Sequence, residues 1–189
     1  MDHLTRSLKV KMKKILENDK LRLRAPEPED LDYLYKWEND TSLWEFGATV
    51  TPYSRFALKQ YLIDSKQDLY TDKQLRLMIV IKESNEVVGT VDLYDFDPFH
   101  KRAGVGILID NKFREKGYGL QTLQILEDYA FNFLKLKQLY AVIPESNRGS
   151  VKLFRKAGYS DAGKLLEWLS TGNRYEDALI MQKINSVLI

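Results

Sequence analysis

The sequence predicts an α+β domain whose central sheet is mixed but mostly antiparallel, with helices on both faces. Two apolar runs at 75–81 and 87–93 flank a polar stretch, which is typical of a β-hairpin. A long helix with an apolar stripe at about 118–134 and a short buried strand at 139–143 follow. Strands that first come in succession and then alternate with helices favour such a layered sheet.

The first third of the chain is predicted to form one strand and two helices. From Leu21 the segment LRLR alternates apolar and basic residues, as a half-exposed strand does. Prolines and acidic residues ending at Asp30 favour the start of a helix that runs to about Glu38. After a loop over 44–53, Ser54 is a suitable cap for a second helix.

The later elements complete the order β-α-α-β-β-β-α-β-α-β-β. Runs rich in Val, Ile and Leu predict buried strands, and apolar residues at helical spacing predict the helices between them. After the hairpin, the predicted elements are a strand at 103–109, the helix at 118–134, the strand at 139–143, a short helix at 147–156, and a strand pair at 159–169 and 175–181.

The length allows one domain. A chain of 189 residues is long enough for one sizeable core and too short for two full domains. Residues 1–20 are basic and weakly apolar, and we predict a flexible arm there, which leaves 21–185 as a single domain. No internal repeat divides that range.

The composition excludes several kinds of site. Lys and Arg number 29 and Asp and Glu 27, so the net charge of +2 is too small to indicate a nucleic-acid partner. Cys is absent and His occurs twice, so disulfides, a cysteine nucleophile and a thiolate metal site are excluded, and no metal is predicted. No apolar run matches a membrane span or a secretory signal, so we expect a cytoplasmic protein without a membrane partner.

The segment Arg114-Glu115-Lys116-Gly117-Tyr118-Gly119 lies between a buried strand and the long helix. Gly117 and Gly119 let the backbone approach a ligand closely, and the first helical turn leaves N–H donors without intrahelical partners. Those donors suit a phosphate or pyrophosphate, and Arg114 and Lys116 add positive charge. A glycine hinge at a helix start is the alternative interpretation.

Two well-known phosphate-binding loops do not match this segment. A mononucleotide P-loop ends in Gly-Lys followed by Ser or Thr, which is absent here. A Rossmann fingerprint needs a third glycine and a long parallel βαβ series, and the sequence has neither. The pyrophosphate of an acyl-CoA is therefore the better match.

Two motifs resemble those of the Gcn5-related N-acetyltransferase (GNAT) superfamily. The strand VGILI at 105–109, the turn Arg114-x-x-Gly117-x-Gly119 and the long helix resemble its acetyl-CoA-binding motif. The segment Asn147-x-x-Ser150, followed by LFRKAGY, resembles its second motif, in which a short helix covers the pantetheine arm. The resemblance spans about 21–183. It is strongest to the spermidine/diamine acetyltransferases and next strongest to the ribosomal-protein N-terminal acetyltransferases.

The resemblance implies a GNAT-like sheet and acetyl-CoA as co-substrate. Backbone groups of the strand would bind the pantetheine and the thioester carbonyl, and backbone N–H groups of the turn would hold the pyrophosphate. The residues implicated in cofactor binding are Ile107, Leu108, Ile109, Arg114, Lys116, Gly117, Tyr118, Gly119, Leu120, Asn147 and Phe154.

The resemblance also implies direct attack of a neutral amine on the acetyl carbon, without a metal or a covalent intermediate. Similar polyamine acetyltransferases carry a tyrosine where this chain has Phe154, and a phenyl ring has no proton for the departing thiolate. Ribosomal-protein acetyltransferases use a serine and a glutamate, which makes Ser150 and Glu167 the catalytic candidates. The alternatives are a serine bonded within its own helix and an exposed strand glutamate.

Acidic residues are the candidates for binding a cationic acceptor. Asp92 and Asp95 lie near the end of the hairpin, and Glu45 lies in the loop between the first two helices. For Asp95 the alternative is a turn aspartate that caps backbone groups.

We therefore predict an acetyl-CoA-dependent N-acetyltransferase that acts on a primary amine, preferably of a polyamine such as spermidine. The alternatives are acetylation of ribosomal or other protein N-termini, acetylation of an aminoglycoside, and a catalytically silent acyl-CoA-binding module, which the phenylalanine at 154 favours. A homo-oligomer is a further expectation, because polyamine acetyltransferases tend to be multimers.

Overall fold

The structure is a computed structural model that describes residues 15–44, 51–65 and 68–186. Its strands are β1 Leu21–Arg24, β2 Leu75–Ile81, β3 Val87–Asp97, β4 Arg102–Ile109, β5 Gln138–Pro144, β6 Ser160–Ser170 and β7 Tyr175–Ile184. They form a seven-stranded sheet in the order β1-β2-β3-β4-β5-β7-β6. Within the described sheet, β4 and β5 are parallel and the other neighbours are antiparallel, which confirms the predicted mixed sheet.

The described helices agree with the predicted order and add two short ones. They are α1 Leu31–Glu38, α2 Thr41–Trp44, α3 Arg55–Asp64, α4 Leu69–Asp72, α5 Tyr118–Asp128 and α6 Arg148–Lys156. The sequence did not predict α2 and α4 because four residues are too few to show apolar periodicity. Ser54 caps α3 as predicted, since its hydroxyl accepts a hydrogen bond from the Ala57 N–H at 3.0 Å.

The end of the long helix differs from the predicted regular helix. The α-helical part of α5 stops at Asp128, and Tyr129–Phe133 form a wider π-helical turn. The Leu134 N–H donates to the carbonyl oxygen of Tyr129, five residues earlier, at 3.0 Å. Apolar spacing cannot distinguish this wider turn from an α-helix, because both leave Ala130 facing the core.

Helices cover both faces of the sheet. In β2, Leu77 and Ile79 belong to the core beneath α5 and α6, whereas Met78 and Val80 belong to a second apolar cluster beneath α1 and α3. Successive strand residues point to opposite faces, so a strand covered on both sides is apolar throughout. This arrangement explains the unbroken apolar run of β2.

Residues 15–20, the described part of the predicted arm, lie against the sheet. Leu16 packs against the main core, and Glu17 bridges to Arg22 of β1. The Lys82 ammonium forms an ion pair with Glu17 at 3.1 Å. The rest of the predicted flexible arm, 1–14, lies outside the described residues.

The Asp110 side chain connects the end of β4 to α1 through hydrogen bonds. Its carboxylate accepts hydrogen bonds from the Lys36 ammonium at 2.5 Å and from the Trp37 indole N–H at 2.9 Å. Burial works against the charged carboxylate, but the bonds from Lys36 and Trp37 outweigh it and lower the pKa of Asp110 to about 2. Asp110 thereby fixes the start of the turn that follows β4.

Replacing Asp110 with Asn is expected to lower the free energy of unfolding by about 1–2 kcal/mol at neutral pH. The folded pKa lies below the ordinary value of 3.8, so this stabilisation is complete above about pH 4 and is lost as the pH falls toward about 2. Urea unfolding at pH 7 and pH 3 measures the effect, and the difference between the two proteins should shrink at pH 3.

The control for this prediction is Asp32→Asn, which removes an exposed carboxylate that pairs with Arg55. Its expected effect is within about 0.5 kcal/mol, because exposed ion pairs contribute little. A loss for Asp110→Asn that is the same at both pH values would contradict the pKa argument.

Candidate active site

A cleft of about 810 Å³ passes along β4 and connects the two faces of the sheet. The turn after β4 and the helix α6 line one end of the cleft, and α1, β2 and β3 line the other. The central wall consists of Ile107, Leu108 and Ile109. The cleft can therefore hold an extended ligand along β4 with a second molecule meeting it from the opposite face.

The central wall has a free backbone edge because β4 and β5 separate. Their parallel pairing covers only Arg102–Gly104 of β4 and Gln138–Tyr140 of β5. From Val105 to Ile109, β4 pairs with β3 on its other side and leaves the edge toward β5 open. Unpaired strand N–H and C=O groups bind an extended ligand well, as an added strand would.

The turn after β4 presents the N-terminus of α5 to the cleft. Gly117 caps α5 with φ 79°, a left-handed conformation that favours glycine. The first N–H groups of a helix have no intrahelical acceptor, so those that follow Gly117 are available to an anion. The Arg114 guanidinium donates to the carbonyl oxygen of Ile109 at 3.2 Å, which holds the turn against the end of β4.

The helix α6 forms the second wall of this end. Asn147 caps it, with its side-chain oxygen accepting from the Ser150 N–H at 3.1 Å. A Cβ on Gly119 would lie 3.1 Å from a methyl carbon of Leu153, so the glycine allows α5 and α6 to approach closely. Lys152 and Lys156 also line the cleft here. Free N–H donors and cationic side chains make this end suitable for a pyrophosphate.

The opposite end of the cleft contains a buried ionic cluster. The Arg76 guanidinium on β2 binds Glu38 of α1 at 2.7 Å and Asp92 of β3 at 2.8 Å. Each of these side chains is about four-fifths buried. Two carboxylates against one guanidinium leave this end with an excess of negative charge.

Burial changes the proton affinity of the cluster. Desolvation raises the pKa of Asp92, and the nearby charge of Glu38 adds to the rise, although Arg76 opposes it. Burial also works against a charged Arg76, but the charge of Asp92 and the hydrogen bond to it outweigh burial and raise the arginine pKa. Arg76 therefore stays charged, and Asp92 takes up a proton more readily than an ordinary carboxylate does.

The structure brings most of the predicted site residues to this one cleft. The predicted residues among its lining are Asp92, Ile107, Leu108, Ile109, Arg114, Gly117, Tyr118, Gly119, Leu120, Asn147 and Ser150. Glu45 lies outside the described residues. The described residues Asp95, Lys116, Phe154 and Glu167 are absent from the lining.

Phe154 and Lys116, the two cofactor-binding candidates outside the cleft lining, contact other parts of the protein. Phe154 is 2% exposed in the main core, and its ring meets that of Tyr159 edge-on at 4.9 Å. The apolar face of α6 that contains Phe154 packs onto the sheet rather than toward the cleft. The Lys116 ammonium lies 5.1 Å from the centre of the Phe113 ring.

The two acidic candidates outside the lining lie at irregular points of the strands. Glu167 is exposed with φ 49°, and its N–H donates to the carboxylate of Asp177 at 2.9 Å. Asp95 is exposed with φ 48° and accepts a hydrogen bond from the Tyr140 hydroxyl at 3.2 Å. Both positions interrupt the strand pairing, so simple alternation fails to predict which way the side chain points. The structure does not bring Ser150 and Glu167 together in the cleft.

The sequence interpretation missed Glu38, Arg76, Lys152 and Lys156. The two lysines are four residues apart beside the Asn147 motif, and this spacing places them on one face of α6. The sequence alone could therefore have indicated these two lysines. Glu38 and Arg76 meet only through the packing of α1 on the sheet, so no local pattern predicts their contact.

A family model for the acetyltransferase (GNAT) domain matches residues 20–160. This chain is a GNAT acetyltransferase. The match covers the strand, turn and helices that form the cleft, and the enzyme takes its acyl group from acetyl-CoA. The free edge of β4 and the donors at the start of α5 fit the pantetheine arm and pyrophosphate of that molecule.

Curated relatives of this acetyltransferase include spermidine N(1)-acetyltransferases. The protein from Escherichia coli strain K12 is 27% identical over 161 residues, which are 85% of this chain and 84% of that protein. The protein from Vibrio cholerae serotype O1 is 26% identical over 173 residues, which are 89% of this chain and 95% of that one.

Solved structures show the same fold. The spermidine N-acetyltransferase from Vibrio cholerae in complex with CoA and spermine has a TM-score of 0.79 and 24% identity, covering 89% of this chain and 98% of that one. The ribosomal-protein-S5-alanine acetyltransferase from Vibrio fischeri has a TM-score of 0.77 and 20% identity, covering 90% and 96%.

None of the described helices is long and apolar enough to cross a membrane. Among the described residues, no group of three or more His, Cys, Asp or Glu residues is arranged to hold a metal ion.

Proposed function

We propose that this GNAT acetyltransferase transfers the acetyl group of acetyl-CoA to a primary amine of a polyamine such as spermidine. The observation that carries the proposal is the carboxylate pair of Glu38 and Asp92 at the end of the cleft opposite the phosphate-binding turn. A cationic amine entering from this end meets negative charge close to the open edge of β4.

The charges in the cleft support two different ligands. The end near α6 has Arg114, Lys152 and Lys156, against Glu115 of the turn. The other end has two carboxylates, against Arg76. Opposite charge at the two ends favours an anionic donor at one and a cationic acceptor at the other. The spermidine acetyltransferases among the curated relatives agree with this choice of acceptor.

The chemistry requires a neutral amine at the acetyl carbon. An amine that enters as an ammonium must lose a proton before it attacks, and a carboxylate with a raised pKa is a better base than an ordinary one. Asp92 meets this requirement because burial raises its pKa and because it lines the cleft beside Gly106 of β4. We assign Asp92 to binding and deprotonating the amine.

A protein N-terminus is the second candidate acceptor. The observation that favours it is Ser150, which lines the cleft at the position where the resemblance to ribosomal-protein acetyltransferases places a catalytic serine. Ser150→Ala tests the serine on which this second candidate depends. An unchanged turnover number would exclude the serine as the proton donor.

The proposed function is tested by release of free thiol from acetyl-CoA with a panel of acceptors. The panel contains spermidine, spermine, simple diamines, aminoglycosides and short peptides with free N-termini. Turnover with the polyamines and little with the peptides is the expected result. Turnover with peptides alone would overturn the polyamine assignment, and no turnover with any acceptor would overturn the proposed acceptor class.

Asp92→Asn should raise the KM for the polyamine and lower kcat, with little change in acetyl-CoA affinity. The amide keeps the side-chain size but removes the charge that attracts and deprotonates the amine. The matched control is Asp95→Asn, the same change on the same strand but at an exposed position outside the cleft lining. If both variants lose polyamine turnover equally, the assignment of Asp92 is wrong.

A further inference from the structure

Thr90 of β3 is a polar residue in an apolar part of the cleft. Its register partners are Met78 of β2 and Leu108 of β4, and both contribute to the apolar cluster beneath α1 and α3. Thr90 is only 6% exposed, and it lines the cleft. Packing among apolar neighbours does not call for a hydroxyl there, because burying a polar group without a partner costs free energy.

The Thr90 hydroxyl forms no hydrogen bond with any residue in the described ranges. Within those ranges, the fully enclosed side-chain oxygens that lack a partner belong to Thr122, Glu127 and Tyr159. The Thr90 oxygen is not one of them, so it opens to the cleft that the residue lines. A buried hydroxyl that faces a binding cleft without a protein partner is available to a ligand.

Asp92 lies two residues farther along β3, on the same face of the strand. Its Oδ1 accepts the hydrogen bond from the Arg76 Nε at 2.8 Å. Its Oδ2 lies 3.9 Å from the position that a Cβ on Gly106 would occupy, so the missing side chain leaves room for a ligand atom beside that oxygen.

The spacing of Thr90 and Asp92 suits a single ligand nitrogen. Two residues of a strand on the same face have Cα atoms about 6.6 Å apart. A nitrogen that donates hydrogen bonds to two oxygens holds them about 5 Å from each other. Small side-chain rotations make up the difference, so one nitrogen can reach both side chains.

We propose that Thr90 and Asp92 together select primary over secondary amines, a role that rests on the proposed acetyl transfer to an amine. A neutral primary amine has two N–H groups and one lone pair. It donates one N–H to the Thr90 hydroxyl oxygen and the other to a carboxyl oxygen of Asp92, which leaves the lone pair for the acetyl carbon. A secondary amine has a single N–H, so one of the two buried oxygens stays without a donor.

The acetyl transfer that follows keeps all atoms accounted for. The amine nitrogen forms a bond to the carbonyl carbon, the carbon–sulfur bond breaks, and the sulfur keeps the electron pair of that bond. One proton passes from the nitrogen to the sulfur through solvent. The products are the amide and the free thiol, and Thr90 is unchanged because it only holds the amine.

The test measures kcat/KM for thiol release with spermidine and with spermidine that is methylated once on each terminal nitrogen. The wild type should favour spermidine at least about 10-fold. Thr90→Val keeps the branched shape and removes the hydroxyl, so kcat/KM for spermidine should fall about 10-fold. The value for the methylated analogue should change little, because its single N–H can still go to Asp92. The preference for the primary amine should therefore nearly disappear.

Two further variants separate the hydroxyl from other effects of the substitution. Thr90→Ser keeps the hydroxyl and should keep the preference for spermidine. Thr122→Val makes the same change at an enclosed hydroxyl of α5 outside the cleft lining, and it should leave kcat/KM unchanged for both acceptors. An acetyl-CoA Kd equal to that of the wild type shows that each variant is folded.

Two results would overturn the proposal. One is a Thr90→Val variant that retains the wild-type preference, since the methyl groups would then be rejected by their size. The other is a wild type that acetylates both acceptors equally well. A wild type that releases no thiol with any acceptor would overturn the proposed function and this role with it, so the two failures are distinguishable.

Discussion

Gly117→Glu is expected to abolish acetyl-CoA binding and leave the protein folded. The new side chain and its negative charge would occupy the start of α5, where we expect the free N–H groups to bind the pyrophosphate. We expect the Kd to rise at least about 100-fold, equivalent to about 2.7 kcal/mol. Isothermal titration calorimetry with acetyl-CoA measures the change.

Gly172→Glu is the matched control for this variant. Gly172 has φ 80°, nearly the φ of 79° at Gly117, but it lies in the turn between β6 and β7 with open space around it. Both substitutions introduce the same left-handed strain of about 1–2 kcal/mol. Only Gly117→Glu should weaken binding. Equal affinities in both variants and in the wild type would reject the pyrophosphate site.

Arg76→Met is expected to lower the free energy of unfolding by about 3 kcal/mol, because it removes the guanidinium that pairs with two buried carboxylates. Methionine fills much of the volume of the arginine stem, so the lost charge dominates the effect. Urea unfolding monitored by tryptophan fluorescence measures the loss. The comparison is Arg55→Met, which breaks an exposed ion pair with Asp32 and should change stability by less than about 1 kcal/mol.

The loss in Arg76→Met should depend on pH. Without the guanidinium, burial raises the pKa of Asp92 further, so the folded state binds a proton more tightly than the unfolded chain does. A group whose folded pKa is raised favours folding at low pH and loses that contribution as the pH rises through the folded value. The variant should therefore be closer to wild type at pH 5 than at pH 8. A pH-independent loss would contradict the electrostatic cause.

Local patterns predicted the sheet and the glycine turn after β4 well. The interactions behind these predictions span only a few residues, so the sequence contains everything needed to predict the local structure. They are the unbroken apolar run of β2, the Ser54 cap and the two glycines after β4. The same applies to Asn147, whose cap forms with a residue three positions later. Local hydrogen bonds and alternation need no distant partner.

Two acidic site candidates lie outside the cleft lining, at points where the strands are irregular. Register shifts near Asp95 and Glu167 leave these side chains exposed to solvent. The neighbouring residues in the sequence do not indicate that a shift occurs there. The wide turn at Tyr129–Phe133 is a similar case, because its apolar residues keep helical spacing. These features depend on how each strand or helix packs against its neighbours.

Local sequence patterns were enough to predict the order of the main elements, the mixed sheet and the glycine turn after β4. Only the tertiary structure decided the opposite end of the cleft, where Glu38, Arg76 and Asp92 come from three separate elements. The physical reason is distance along the chain, since contacts between remote residues form only when the elements pack together.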